Sequence, residues 1–169
     1  MKSTRLTLIS FVVLLALPGC SHPRPSEDDV LNVTAKIPAN LPVPAMDWRV
    51  ISTSVNRTDK TTAILTGNDK AVKYSATGTY PEGSKLALMT WFERDDPHWF
   101  GARIPGTFVA LETISVDRDP TRGPDRDSAG KIVATYKRYT GDPLREVTGS
   151  TNADARKAII LAMQPSPMP

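Results

Sequence analysis

Chemistry has few places to sit in this chain. The one thiol is Cys20, and the two histidines are His22 and His98. His98 stands in "DDPHWF", next to Asp95, Asp96, Trp99 and Phe100, where an imidazole could ligate a metal. A single histidine with adjacent aspartates has no established metal spacing, and a loop histidine beside a proline is ordinarily solvated. Glu112 is the other candidate, a carboxylate inside the apolar run "TFVALETISV". Such a group is costly unless paired, which makes it a candidate proton relay or ligand contact. Strand parity puts Glu112 on one face with Phe108, Ala110, Ile114 and Val116, and Val109 and Leu111 on the other. Two plainer readings stay open: the face points outward at Glu112, or the carboxylate pairs with a nearby Arg or Lys. Trp91, Trp99 and Phe100 could wall a binding site or fill an ordinary core. There is no GxSxG, HExxH or P-loop, and a Ser/His/Asp triad would have only His98 to use. No catalytic residue and no metal site is assigned.

Cys20 is explained by what precedes it. Lys2 and Arg5 carry positive charge, and an almost unbroken apolar run follows over residues 6–17. A membrane span takes roughly 20 apolar residues; this run is shorter, is interrupted by Thr7 and Ser10, and closes at Pro18 and Gly19. That is the shape of an export signal. The ending Leu17-Pro18-Gly19-Cys20 resembles the bacterial lipobox, which implies diacylglycerol on the Cys20 thiol and cleavage before it. Two or three acyl chains, at about 0.8 kcal/mol per buried methylene, anchor a protein firmly where one would not. Ser21, in place of an aspartate, implies sorting to the outer membrane, facing the periplasm. The membrane is thus the expected partner, reached through lipid on Cys20. A small ligand or an envelope protein is expected as a further partner.

Of the formal charge of +3, Lys2 and Arg5 belong to the signal, so +1 remains afterwards. The basic residues from Arg103 to Arg145 are interleaved with Asp and Glu, which argues against the clustered basic face of a nucleic-acid binder. About 150 residues remain after cleavage, enough for one core. With Cys20 under lipid no thiol is left to pair, so the fold rests on packing alone.

The elements that must position these residues follow from local pattern. Residues 1–19 are the signal, 20–36 the lipidated cysteine and a Pro-rich tether, 37–163 the domain, and 164–169 a disordered tail. The β-branched runs 49–55 and 61–66, joined by a polar turn, predict a β-hairpin. Asn68 caps a short helix carrying Ala71, Val72 and Tyr74 that ends before Gly78. Residues 85–93 and 107–117 are the longest apolar strands, separated by the loop "RDDPHWFGARIPG". A polar loop over 119–130 leads to a strand over 131–139, in which Ile132, Ala134, Tyr136 and Arg138 alternate with Val133, Thr135 and Lys137. Thr151 and Asp154 have capping-box spacing, before a helix with an apolar stripe of Ala155, Ala158, Ile159 and Ala162 that stops at Pro165. The sum is an α+β domain, a mainly antiparallel sheet of about five strands with packed helices.

Three pieces, "DWRVIS", "TTAILTGNDKAVKY" and "TYPEGSKLALMTWFE", come in an order that resembles the cytochrome P-460 family, and "GTFVALETISVDRD" continues it. The resemblance spans roughly residues 44–119. It implies an exported domain on a mainly antiparallel sheet, in a family whose members carry haem and oxidise hydroxylamine or bind small gases. It also implies a CxxCH haem attachment near the C-terminus. Here the matching region, residues 134–151, contains neither cysteine nor histidine. The lysine that catalytic members cross-link to haem falls at Leu88, and Lys85 is the only lysine in that strand. Glu112 occupies the place of a distal-pocket glutamate. The expected function is therefore a haem-free binding or accessory module. The alternatives are a noncovalent haem protein of redox or gas-binding type, with Glu112 and His98 as cofactor contacts, and a structural envelope lipoprotein.

Overall fold

The computed structural model describes residues 31–119, 131–149 and 151–166. Cys20 and the signal before it lie outside the described residues, as do residues 120–130 of the second polar loop and the last three of the tail. Six strands form one antiparallel meander: β1 (Arg49–Asn56), β2 (Thr61–Gly67), β3 (Lys85–Asp95), β4 (Arg103–Arg118), β5 (Ile132–Thr140) and β6 (Arg145–Glu146). The α+β class stands, with six strands where about five are expected. The added strand, β6, has two residues, too short for any alternation to reveal, and exists through pairing with Tyr139 and Thr140.

Local chemistry makes the first half. The β1–β2 turn closes on Asn56, whose Oδ1 accepts the backbone N–H groups of Thr58 and Asp59. Helix α1 (Asp69–Tyr74) starts at Asn68, whose Oδ1 accepts from the Ala71 N–H at 3.0 Å. The same oxygen accepts from the Lys85 N–H, and the Asn68 amide donates to the Gly83 carbonyl. One side chain thus joins the helix start to the turn that feeds β3. Gly67 lets α1 lie close to the sheet, since a Cβ there would come within 2.7 Å of Ile51 Cδ1 and 2.9 Å of Ala71 Cβ.

The sheet has a core on each face. On one, Leu65, Leu86, Ile114 and Val116 pack against Ala71 of α1 and against Ile160 of helix α2 (Ala153–Leu161). On the other, Ala87, Met89, Trp91 and Leu111 are covered by the chain leading into β1, with Ile37, Val43 and Ala45. This cover begins in the segment expected to be tether. Asn32 donates to the Pro105 carbonyl at 2.6 Å, a 3-10 turn runs over Val33–Ala35, and the Ala35 carbonyl accepts from Trp91 Nε1 at 3.1 Å. At the other end the Ser166 N–H bonds the Ile51 carbonyl at 3.0 Å, so the expected tail is docked at its start. Among the described residues no helix is long and apolar enough to cross a membrane.

Two expectations about faces are corrected. In β3 and β4, Thr90 pairs with Ala110, Trp91 with Phe108 and Glu93 with Pro105, so β4 takes five steps where β3 takes three. Two β-bulges therefore break the parity. Phe108 joins Leu111 on the face of Trp91, and Val109 turns to the face of Glu112. In α2, Ala155, Ala158 and Ile159 are exposed, while Ile160 and Arg156, one turn apart, face the sheet. An ion pair, invisible to an apolar stripe, sets that face. Nor does Thr151 form a capping box: Asn152 is the N-cap without a side-chain bond, and Asp154 pairs with Lys157 at 2.8 Å.

Candidate functional site

Pairing across four strands sets Leu65, Leu88, Glu112 and Arg138 in one row, and partners directly opposite in an antiparallel sheet share a face. Glu112 is 2% exposed. Helix α2 lays Arg156 over it as a fork, Nε to Oε1 at 2.9 Å and Nη2 to Oε2 at 2.5 Å, and the Tyr136 hydroxyl donates to Oε1 at 2.5 Å. This is the paired alternative for a buried carboxylate, with the face turned inward.

Burial pushes the Glu112 carboxyl up, but the bonds from Arg156 and Tyr136 and the charges of Arg156 and Arg138 outweigh it and hold it below its ordinary value. Burial, together with the bond to this carboxylate, pushes the Tyr136 phenol up to about 12. An ionised carboxylate held by fixed donors is a poor proton carrier near neutral pH, so Glu112 reads as the pin that fixes α2 to the sheet.

Beside the pin lies a cavity of about 570 Å³. Ala63, Leu88, Val109 and Ala110 give it an apolar floor, Ile159 and Met163 of the C-terminal region form one side, and Thr90, Glu112, Arg138 and Arg156 supply polar groups. Leu88 stands directly opposite Glu112 in the pairing. Lys85 is exposed at the start of β3.

The other sequence candidates are elsewhere. His98 is exposed in the β3–β4 loop, its backbone N–H bonded to Asp96 Oδ1 at 2.8 Å, and it does not line the cavity. Glu112 and His98 are not brought together. Trp91 is buried on the opposite face, edge-on to Phe108 with ring centroids 5.5 Å apart, whereas Trp99 and Phe100 are exposed. They form no common wall. Among the described residues no cluster of His, Cys, Asp or Glu could hold a metal ion. Sequence reasoning missed Arg156 as the partner of Glu112 and did not assign Tyr136 and Arg138 to the site. The alternation of β5, which puts Tyr136 and Arg138 on one face, was the available signal.

A six-stranded antiparallel meander with a helix pinned over one face and an open cavity beside the pin defines an α+β domain. The Cytochrome P460 family model matches residues 46–148, and the chain belongs to that family. Comparison with curated proteins finds no match. Haem is the group this family implies, and among the described residues those lining the cavity do not fit it. The cavity lining offers no imidazole or thiol, and the one buried carboxylate already has three donors. The region where the resemblance puts covalent attachment is β5 and β6, without cysteine or histidine.

Proposed function

We propose that this chain is a haem-free binding module: a cytochrome P460 domain that uses its cavity for a small ligand. A lipid on Cys20 holds it at the outer membrane, facing the periplasm. The observation that carries the reading is the cavity of about 570 Å³, within the range of small-molecule sites, lined by groups that suit an organic ligand and not an iron centre. Leu88 supports it, standing where the resemblance places the cross-linking lysine. The signal run and the Leu17-Pro18-Gly19-Cys20 ending support the anchor. The polar groups hold a ligand in orientation and the apolar floor excludes water from it; no step of bond making is assigned to them.

The test is the visible spectrum of the full chain, purified in detergent from haem-replete cells and then titrated with haemin. The expected result is no Soret band and no saturable shift. A stoichiometric Soret band would overturn the reading and make this a noncovalent haem protein of redox or gas-binding type.

A further inference from the structure

Two guanidinium groups and one carboxylate meet at the same end of the cavity: Arg138, Arg156 and Glu112. Arg156 gives its fork to Glu112. Arg138 stands next to Glu112 across β4 and β5, yet among the described residues its side chain has no hydrogen bond and no salt bridge. One positive charge is therefore left over at a half-buried position. The remaining acid in the lining, Asp59, is in the β1–β2 turn, where Asn56 Nδ2 donates to it at 2.8 Å. It lies at the far end, since the pairing places Thr61 and Phe92 four residues along the strands from the row of Leu65 and Leu88.

From this juxtaposition we infer that the cavity takes an amphiphilic monocarboxylate, with the ligand's carboxylate on Arg138 and its hydrocarbon part along Leu88, Val109 and Ile159. This rests on the binding-module reading above and names the ligand class for it. A guanidinium presents a planar fork that matches a carboxylate, and one surplus charge suits a monoanion. A cationic ligand would find Glu112 already occupied and Arg138 repelling it. The apolar floor and the exposed rim residues Ile159 and Phe92, 55% and 52% exposed, gain by covering a hydrocarbon chain.

The probes are octanoate, 1-octanol and octylamine, titrated calorimetrically into the full chain in detergent kept below the concentration at which it sequesters them. Octanoate is expected to bind saturably and more weakly as salt rises, and octylamine to give no binding. Arg138→Gln is expected to weaken octanoate at least tenfold and abolish the salt dependence, and Arg138→Lys to restore part of the affinity. The melting temperature of Arg138→Gln should fall only modestly, since among the described residues that side chain makes no hydrogen bond or salt bridge and acts on Glu112 through its charge alone. Equal binding of octanoate, octanol and octylamine, unchanged in Arg138→Gln, would overturn the carboxylate inference and leave a binding module of other specificity. Binding of none of the three would overturn the inference, and a Soret band in the same preparation would show that the module reading had failed with it.

Discussion

Glu112 keeps its charge in the core only while its donors stay in place. Removing Arg156 leaves the carboxylate with the Tyr136 hydroxyl and no direct ion pair, and breaking a buried pair in this way costs 3–5 kcal/mol. Because the Arg156 side chain is 35% exposed, the lower end applies, and Arg156→Ala should lose about 3 kcal/mol in urea unfolding at pH 7. The pH dependence follows from the lowered carboxyl value. A carboxyl depressed in the folded state stabilises fully above its unfolded value near pH 4.3, and the contribution is lost as pH falls through the lower folded value. Glu112→Gln should therefore flatten the acid limb of the stability curve, read from melts between pH 7 and pH 3. An unchanged acid limb would show that other carboxylates carry it. Sequence shows that Glu112 needs a partner if its face is turned inward, because Ala110 and Ile114 beside it on that face are apolar. It does not show which partner, because Arg156 is 44 residues away and Tyr136 is 24.

At the scale of the element, the legible parts are those decided by neighbours in sequence. The β1–β2 hairpin, the Asn68 cap, the stop at Gly78 and the long strands β3 and β4 all follow from turn chemistry, capping and β-branched runs. Asn68 does more than cap, since it also bonds Lys85 and Gly83 in the turn before β3. Losing a cap costs typically about 1 kcal/mol. Asn68→Ala should cost about 2 kcal/mol, because it also leaves groups of the β3 turn unsatisfied, while Asn68→Asp keeps the acceptor and should recover part of the loss. Melting temperatures of the two variants check this. What local pattern could not show was set across strands. The bulges put Pro105, Phe108 and Leu111 at a spacing of three on one side of β4, so an alternating count goes astray beyond Ala110. Gly106 marks the second bulge, where a Cβ would meet the Phe92 carbonyl at 3.1 Å. The face of α2 was likewise decided by a carboxylate in the sheet.

The described residues form one sheet with two unlike covers. The family match ends at residue 148 and begins at residue 46, so α2 on one face and most of the N-terminal cover on the other lie outside it. The resemblance therefore speaks to the sheet and is silent on Arg156, which comes from outside the matched span. The cover is latched by Asn40, whose amide donates to the Leu144 carbonyl at 3.2 Å and whose oxygen accepts the Leu144 N–H at 3.0 Å. Asn40→Ala should cost about 1 kcal/mol for each bond removed. Faster hydrogen exchange should follow at residues 35–45, with little change in β2 and β3. Equal loosening across the sheet would mean that the cover is not a separable unit. The latch also bears on the order in which the chain is made. Ala35 and Asn32 find their partners at Trp91 in β3 and Pro105 in β4, whereas Asn40 waits for Leu144, so the part of the domain synthesised first can dock on the middle of the sheet but is not latched until β5 has followed. Until then Met89, Trp91 and Leu111 lie under a cover fastened at one end only, and the last strands to be made close the apolar face that the first residues began to shield.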